Sequence, residues 1–182
     1  MNVARLAIPD VLLITPTVRS DHRGYFMEVW HAERFAAAGI DVQFVQDNQS
    51  GSRHGALRGL HYQLGRPQGK LVRVVSGEVF DVAVDLRKGS ATFARWVGTR
   101  LSAENRQQLY LPPGFAHGFL VTSASAEVAY KCTDSYVPNQ ERTLRWDDPD
   151  LAIEWPLPAG TLPTLSAKDS SGQRLSEAEL YP

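Results

Sequence analysis

Short runs rich in β-branched and aromatic residues dominate the chain from Val42 onward. The clearest run spans residues 70–90, KLVRVVSGEVFDVAVDLRKGS, and is interrupted at Ser76–Gly77 and at Lys88–Gly89. Because Val favours extended structure and Gly favours turns, this run predicts two strands with a tight connection. Further strands are predicted, at short and regular spacing, in TFARWVGTRLS, RQQLYLPPG, GFLVTS and AEVAYKCTDSYV. Many short strands with Gly and Pro turns predict a mainly β fold, a sandwich or barrel of the jelly-roll kind.

The remaining segments are expected to surround this β region. DVLLITPTVRSDHRGYF predicts an extended N-terminal arm with turns at Pro16 and at Arg23–Gly24. HAERFAAAGI predicts a helix, because it contains good helix formers and Gly39 is a typical C-terminal cap. SEAELY predicts a short capping helix near the C-terminus. No repeat or linker divides the sequence, so we expect one domain over residues 1–182, with an arm over about 1–20 and a cap over about 170–182.

Alternation within two of the predicted strands places polar side chains on defined faces. In GEVFDVAVDL, Asp81 and Asp85 share one face, because successive side chains of a strand point to opposite sides. We expect each carboxylate to face solvent, with a polar cavity as the alternative, since ionised carboxylates are seldom buried. In EVAYKC, Tyr130 shares a face with Val128 and Cys132 and is expected to point inward. A core tyrosine and a catalytic acid are both compatible with that position.

Composition and charge narrow the classes of function. The chain has 182 residues with 19 basic and 20 acidic side chains, so its formal net charge is -1. This balance gives no overall field that would attract nucleic acid or an anionic membrane, although a local basic pocket is compatible with it. The single Cys132 cannot form an internal disulfide, and the N-terminal residues lack the long apolar run of a signal peptide. We therefore expect a cytoplasmic protein that binds neither nucleic acid nor membrane.

His61, in the stretch GALRGLHYQ, raises the question of a metal site. A histidine on a jelly-roll strand is typical of cupins, in which a His-x-His pair and later Glu and His residues hold iron, manganese or zinc. Here Gln63 occupies the position of the second histidine, and the later stretch PPGFAH supplies only His117. Two histidines and a weak amide ligand are fewer donors than a catalytic transition metal uses. The pattern predicts no metal and no other cofactor, and it leaves both histidines available for proton transfer.

Polar residues that suit an anionic ligand are concentrated in a few segments. They are Arg23, Glu28, Gln46, Asp47, Asn48, Arg58, His61, Lys70, His117, Lys168 and Asp169. Each has an ordinary structural explanation, such as a turn, a cap or a solvated strand end. Taken together, cations beside a histidine and a tyrosine suit an anionic substrate that undergoes proton transfer. Arg58 and His61 lie three residues apart, so they reach one cavity only if Gly59 bends or bulges the strand.

Six longer motifs extend in a fixed order from about residue 20 to about residue 170. They are DHRGYFMEVW, QDNQSGSRHGALRGLHYQ, PQGKLVRVVSGEVFDVAVDLRKGS, LYLPPGFAHGFLV, AYKCTDSYVPNQERTLRWDDPDLAIEWPL and LSAKD. This set closely resembles the dTDP-4-dehydrorhamnose 3,5-epimerase family, and GALRG in place of the family's frequent GVLRG is a small apolar exchange. The resemblance implies a metal-independent, cupin-like jelly roll and a homodimer whose N-terminal strands cross to the partner. It also implies a substrate, a dTDP-linked 4-keto-6-deoxyhexose on the route to dTDP-L-rhamnose.

The resemblance further implies roles for individual residues. His61 of RGLHYQ matches the family's base, Tyr130 of YKCTD its acid, and Lys70 of QGKLVRV the lysine near the 4-keto oxygen. Asp169 of LSAKD matches the aspartate that pairs with the base, and Tyr136 matches the aromatic residue that stacks on thymine. The residues that match the family's other nucleotide-sugar contacts are Arg23, Phe26, Glu28, Gln46, Asp47, Asn48, Arg58, His117, Glu141 and Lys168.

The implied activity is epimerisation at carbons 3 and 5 of dTDP-4-dehydro-6-deoxy-D-glucose, through an enolate, in dTDP-L-rhamnose biosynthesis. One alternative is an epimerase that inverts carbon 3 or carbon 5 alone in a related antibiotic sugar, because such relatives share the base and much of the nucleotide site. A second is a non-catalytic nucleotide-sugar-binding protein, which the presence of His61, Tyr130 and Lys70 disfavours. A third is a metal-dependent cupin oxygenase, which Gln63 disfavours.

Overall fold

Thirteen strands and two short helices make up the fold, and the computed structural model describes every residue from Met1 to Pro182. The strands are β1 (Asn2–Arg5), β2 (Leu12–Thr15), β3 (Val18–Asp21), β4 (Gly24–Met27), β5 (Gln46–Arg53), β6 (Leu57–Gln63), β7 (Lys70–Ser76), β8 (Glu78–Asp85), β9 (Trp96–Ser102), β10 (Gln108–Leu111), β11 (Phe115–Val121), β12 (Ser125–Cys132) and β13 (Glu141–Thr143). The helices are α1 (Ala32–Ala37) and α2 (Ala167–Ser170), and a 3-10 turn spans Pro138–Gln140.

Two antiparallel sheets enclose the main hydrophobic core. The six-stranded sheet has the order β1-β2-β10-β7-β12-β5, and the five-stranded sheet has the order β13-β6-β11-β8-β9. Val72 and Val74 from the first sheet pack with Ala83, Phe115 and Phe119 from the second, and all five side chains are buried. These facing sheets confirm the mainly β jelly-roll prediction.

The outer faces of both sheets are also covered. On the six-stranded sheet, Phe35 of α1 and Ile40 pack over Leu71. On the five-stranded sheet, Leu175 packs over Val82. Residues on both faces of β8 are therefore buried, and the strand nevertheless contains two buried carboxylates, Asp81 and Asp85. Neither helix is long and apolar enough to cross a membrane.

The N-terminal segment differs from the extended arm expected over residues 1–20. β1 pairs with β2, and β2 pairs with β10, so this part forms one edge of the six-stranded sheet. The cause is the apolar side chains of Leu12 and Ile14, which are buried beneath the segment around α1. The segment that stands apart from the two sheets is the β3–β4 hairpin, Val18–Met27, whose two strands pair only with each other.

The two helix predictions had different outcomes. The predicted helix at HAERFAAAGI is confirmed as α1, and Gly39 follows it with a φ angle of +91°. The predicted helix at SEAELY was wrong, because the chain there forms a turn and then an extended end. Tyr181 forms a β-bridge with Arg87, which uses an extended backbone, and its hydroxyl donates a hydrogen bond to the carbonyl oxygen of Gln63. The segment nevertheless covers the five-stranded sheet as a cap.

The prediction that Asp81 and Asp85 face solvent was wrong, because both are 0% exposed. Burial favours the neutral acid at Asp85, but hydrogen bonds from Arg87, Ser90 and Thr92 outweigh it and lower the pKa to about 2. Asp81 lies on the inner side of β8, where its carboxylate meets an imidazole in the cleft described below. Each carboxylate is tolerated in the interior because it has hydrogen-bond partners there.

A bulge in β6 brings two functional side chains to one face. Between His117 and Phe119 on β11, the register on β6 moves from His61 to Arg58, so β6 carries one extra residue. Gly59 lies within this irregular stretch and has a φ angle of +125°. The geometry confirms the prediction that Arg58 and His61 share a cavity only through a distortion at Gly59.

Gly59→Ala tests the close approach of β6 to β11. A Cβ atom at residue 59 would lie 2.5 Å from the Cα atom of Gly118, and the positive φ angle disfavours any residue that has one. We expect the free energy of unfolding, measured by urea titration, to fall by about 2–4 kcal/mol. Gly51→Ala is the control, because a Cβ atom there meets nothing within 4 Å. Equal effects of the two substitutions would contradict the steric explanation.

Candidate active site

A cleft of about 320 Å³ lies between the two sheets and receives side chains from both. The six-stranded sheet contributes residues of β5, β7 and β12, and the five-stranded sheet contributes residues of β6, β11 and β13. The lining comprises Gln46, Asn48, Ser50, Arg58, His61, Gln68, Lys70, His117, Phe119, Tyr130, Tyr136, Glu141 and Lys168. Only three of these thirteen residues are hydrophobic, so the cleft suits a polar ligand.

His61 is held at the cleft by a buried carboxylate. Its Nε2 atom lies 2.6 Å from Oδ1 of Asp169, which is 3% exposed. Asp169 is fixed in α2 by Ser166, whose hydroxyl donates to Oδ2 at 2.6 Å, and the backbone N–H of Gly59 donates to Oδ1 at 3.3 Å. Because an ionised carboxylate only accepts hydrogen bonds, Nε2 is the protonated nitrogen of a neutral His61. The Nδ1 atom therefore carries the free lone pair.

Burial sets the protonation of this pair. It lowers the pKa of His61 below the ordinary value of 6.5, against the hydrogen bond to Asp169, and the positive charges of Lys168 and Lys70 lower it further. At Asp169 burial favours the neutral acid, but hydrogen bonds from His61 and Ser166 outweigh it and lower the pKa to about 2. At neutral pH the pair is a neutral imidazole beside a carboxylate, which is the state that a general base requires.

Tyr130 and Lys70 face His61 from the opposite sheet. Tyr130 points into the cleft, while Val128 and Cys132 on the same side of β12 are buried, which confirms the predicted inward orientation. The Nζ atom of Lys70 lies 5.9 Å from the centroid of the Tyr130 ring. Burial raises the pKa of Tyr130 and lowers that of Lys70. Tyr130 is therefore a protonated phenol at neutral pH, placed across the cleft from the imidazole.

A second histidine–carboxylate pair lies beside the first. His117 on β11 is the register partner of His61 on β6. Its Nε2 atom lies 2.9 and 3.0 Å from the two carboxylate oxygens of Asp81. Both members of this pair are buried, so the orientation of the imidazole at the cleft wall is fixed before any ligand binds.

The side-chain amide of Gln63 forms hydrogen bonds with two neighbouring loops. Its Nε2 atom donates to the carbonyl oxygens of Arg66 and Ser135, and its Oε1 atom accepts from the backbone N–H of Val137 at 2.7 Å. These bonds hold the segment that carries Tyr136 into the cleft. No group of three His, Cys, Asp or Glu side chains is close enough to hold a metal ion.

Three of the expected ligand contacts bond to one another at one wall of the cleft. The Nζ atom of Lys168 donates to Oε1 of Glu141, and the hydroxyl of Tyr136 donates to Oε2, both at 2.9 Å. Burial favours the neutral acid at Glu141, but the hydrogen bonds from Lys168 and Tyr136 outweigh it and lower its pKa. A cation and an aromatic ring are thereby held next to each other.

Asp47, one of the expected contacts, does not line the cleft. Strand alternation sends Gln46 and Asn48 into the cleft and Asp47 to the other side of β5. There its carboxylate accepts a hydrogen bond from the Nζ atom of Lys131 at 2.9 Å. The block Gln46–Asn48 therefore supplies two side chains to the cleft rather than three.

Three further expected contacts lie outside the cleft of their own chain. Arg23 and Phe26 are on the β3–β4 hairpin, where Arg23 pairs with Asp21 and Phe26 is 72% exposed. Glu28 follows the hairpin and pairs with Arg34. Arg23 and Phe26 thus belong to a hairpin that forms a separate two-stranded sheet, and Glu28 follows that hairpin directly.

Four residues of the site were not predicted from the sequence. Ser50, Gln68 and Phe119 line the cleft, and Ser166 fixes the carboxylate of Asp169. Ser50 was detectable, because it follows Gln46 and Asn48 at the spacing of two that defines one face of a strand. Ser166 was also detectable, because Ser166 and Asp169 have the S-x-x-D spacing of a helix N-terminal capping box, whereas nothing in the local pattern marks Gln68 or Phe119.

A family model that describes dTDP-4-dehydrorhamnose 3,5-epimerase matches residues 5–177. The chain belongs to this epimerase family. An epimerase described as dTDP-4-dehydrorhamnose 3,5-epimerase, from Pseudomonas aeruginosa, is 55% identical over 183 residues, which cover 100% of both chains. Membership of this family makes the protein an isomerase.

Two solved structures of epimerases resemble the chain over almost its whole length. The dTDP-6-deoxy-D-glucose-3,5-epimerase of Legionella pneumophila, in complex with dTDP-4-keto-L-rhamnose, is 50% identical with a TM-score of 0.94, and the match covers 98% of this chain and 94% of that one. A 3'-monoepimerase from Streptomyces bikiniensis, in complex with dTDP-quinovose, is 37% identical with a TM-score of 0.87, and the match covers 94% and 87%. The cupin-like jelly roll is confirmed by these neighbours.

The pKa of His61 in this epimerase is directly measurable. We expect NMR titration of the imidazole to give a pKa below 6.5, because burial disfavours the charged form. Asp169→Asn should lower that pKa further, since it removes the carboxylate that stabilises the imidazolium. Asp150→Asn, an exposed carboxylate elsewhere, is the control and should leave the pKa of His61 unchanged. A pKa that rises in Asp169→Asn would contradict the assigned pairing.

Proposed function

We propose that the chain epimerises carbons 3 and 5 of dTDP-4-dehydro-6-deoxy-D-glucose to give dTDP-4-dehydro-L-rhamnose, in dTDP-L-rhamnose biosynthesis. The observation that carries this proposal is the placement of the His61–Asp169 pair and Tyr130 on opposite sheets, facing one cleft. Family membership and the relatives named above support the substrate class.

The chemistry needs proton transfer at two faces of the sugar ring. Carbons 3 and 5 flank the 4-keto group, so removal of either proton gives an enolate. Inversion requires that the proton leaves from one face and that another arrives at the opposite face. A base and a separate acid on opposite walls meet this requirement. His61 and Tyr130 are placed on such walls.

His61 acts as the base in this proposal. Its Nδ1 lone pair takes the proton, while Nε2–H remains hydrogen-bonded to Asp169. The carboxylate then stabilises the imidazolium that forms and holds the ring in one orientation. Tyr130 delivers a proton to the opposite face, because the enolate carbon is basic enough to take it even from a phenol whose pKa burial raises.

Lys70 stabilises the enolate. It is 9% exposed and lies next to Tyr130 in the cleft, where an N–H donor is far more effective than in water. A donor fixed near the 4-oxygen meets the negative charge where it develops, and such preorganised contacts contribute about 3–4 kcal/mol in other enzymes.

Nucleotide binding rests on a preorganised set of polar groups. Arg58 donates from Nε to the hydroxyl of Ser52 and from its terminal nitrogen to the carbonyl oxygen of Gly51, so its guanidinium is fixed beside the cleft. We assign the diphosphate to Arg58 and Lys168, since arginine and lysine suit phosphate oxygens. Tyr136 stacks on the thymine ring. Further contacts to the nucleotide sugar come from Gln46, Asn48, His117 and Glu141.

The functional unit in this proposal is a homodimer with exchanged hairpins. The β3–β4 hairpin carries Arg23 and Phe26 away from their own cleft and exposes apolar surface, as an exchanged segment would. Exchange places Arg23, Phe26 and the nearby Glu28 at the nucleotide bound by the partner. Such an isologous arrangement is typical of twofold dimers.

We place the protein in the cytoplasm. Cys132 is a free, buried thiol, and proteins of that compartment keep their thiols reduced. Cell fractionation that finds the protein outside the cytoplasm would contradict this placement.

Inversion at one carbon alone is the second candidate, which the similarity to the 3'-monoepimerase favours. NMR of the purified, metal-stripped protein with dTDP-4-keto-6-deoxyglucose in deuterium oxide separates the two. Deuterium at carbons 3 and 5, with a product that a 4-keto reductase converts to dTDP-L-rhamnose, supports the 3,5-epimerase. Deuterium at one carbon supports the single-position epimerase. Binding of dTDP without any exchange would indicate a binding protein and would remove the support for the catalytic roles.

Substitution of the two proton-transfer groups should have separable effects in the same assay. His61→Ala should slow exchange at both carbons by about 10²–10⁴-fold, as loss of a general base does, while dTDP binding persists. Tyr130→Phe should retain deprotonation, seen as deuterium exchange, but impair inversion. Rapid exchange in His61→Ala would refute the assignment of the base, and normal inversion in Tyr130→Phe would refute that of the acid.

Mixed dimers test the exchange of hairpins. One chain carries His61→Ala, and the other carries Arg23→Ala with Phe26→Ala. If each hairpin serves the partner's cleft, a mixed dimer has one cleft without any defect, so random pairing recovers about a quarter of the wild-type activity. Recovery no greater than that of the two separate variants would show that the hairpin does not act on the partner's cleft.

A further inference from the structure

The β3–β4 hairpin is attached to the body of the fold through very few contacts. β3 pairs only with β4, and every residue from Arg19 to Phe26 is exposed. One side chain of the body meets it by stacking: Cζ of Arg106, from the turn between β9 and β10, lies 4.1 Å from the centroid of the Tyr25 ring. This distance is that of a close cation–π contact.

The alternation of side chains along β4 determines which residues face the body of the fold and which face away from it. Tyr25 and Phe26 are neighbours in a strand, so their side chains point to opposite faces of the hairpin. Because Tyr25 is turned toward Arg106, Phe26 is turned away from the body, where 72% of it is exposed. The contact of Tyr25 with Arg106 therefore also determines the direction in which the Phe26 side chain points.

Arg106 itself is rigidly held. Its φ angle is +56°, a left-handed conformation that persists in a residue with a Cβ atom only where the surroundings impose it. They do so through Asn105, whose Oδ1 atom accepts from the backbone N–H groups of Ser102 and Gln107 and whose Nδ2 atom donates to the carbonyl oxygen of Arg100. The Nε atom of Arg106 is buried without a hydrogen-bond partner. The stack on Tyr25 therefore meets no competition from a hydrogen bond at Nε.

We propose that Arg106 is a positioning residue that, by stacking on Tyr25, aims the hairpin with Arg23 and Phe26 at the nucleotide in the partner's cleft. This inference rests on the exchanged homodimer proposed above. Arg106 touches neither the substrate nor the reacting atoms, so its effect is on nucleotide affinity. Contacts to the nucleotide are made equally in the ground state and the transition state, and their loss raises KM without lowering kcat.

Steady-state kinetics of Arg106→Ala test the proposal, together with calorimetric binding of dTDP. We expect KM and the dTDP dissociation constant to rise about two- to fivefold, the range that loss of an exposed cation–π contact produces, with kcat unchanged. Arg106→Lys, which keeps a cation over the ring, should recover part of the affinity. Arg174→Ala is the matched control, because it removes the same charge from an exposed position and should leave both constants unchanged. Equal weakening in Arg174→Ala would overturn the proposal in favour of general attraction of an anionic substrate.

A double substitution shows whether Arg106 acts through Tyr25. Tyr25→Leu should raise KM as Arg106→Ala does, and the combined variant should be no weaker than either alone, because both remove one contact. Effects that multiply, or a fall in kcat at unchanged KM, would overturn the proposal. The dTDP measurement does not depend on turnover. A wild-type chain that binds dTDP without epimerising it refutes the proposed reaction, while the response of dTDP affinity to Arg106→Ala still decides the role of Arg106.

Discussion

The close approach of β6 to β11 is the constraint on which the site depends. At Gly59 and Gly118 the two strands lie so near that a Cβ atom on Gly118 would be 2.7 Å from the carbonyl oxygen of Arg58. Only glycine allows this contact, and the extra residue of the bulge then turns both Arg58 and His61 into the cleft. The same stretch supplies the N–H of Gly59 to Asp169, so one local distortion fixes the relative positions of His61, Asp169 and Arg58.

The interior around this site accommodates ionised groups because each carboxylate there has hydrogen-bond partners within the protein. Asp169 bonds to His61, Ser166 and Gly59, and Asp81 bonds to His117. An unpaired charge at these depths would cost several kcal/mol, which hydrogen bonds in the folded protein offset. The polar groups are therefore oriented by the fold rather than by the ligand. In the proposed reaction, that arrangement stabilises the developing charge of an enolate with little reorganisation.

Runs of β-branched residues between turn residues predicted most of the strands, and period-two alternation predicted the inward face of Tyr130 and the need for a bulge at Gly59, because these features follow from local geometry. It failed where burial depends on distant partners. Asp81 and Asp85 looked like solvent-facing carboxylates, yet an imidazole and an arginine–hydroxyl cluster satisfy them inside the fold. The expectation for Asp47 came from a motif read as a block, and strand alternation separates it from its neighbours. The resemblance to the family, not the spacing, linked His61 to Asp169, since 108 residues separate them.

That separation has a consequence for how the protein matures on the ribosome. Most partners of strands β5 to β12 lie within this stretch of chain, and its pairing is largely complete once β11 and β12 have emerged beside β6 and β5. Asp169 and Ser166 follow much later, on a helix of four residues that forms too few hydrogen bonds to persist alone. A nascent chain that has folded through β12 thus possesses the imidazole but not the group that fixes its tautomer. Catalytic competence arrives as a late docking event, distinct in time from the collapse of the core.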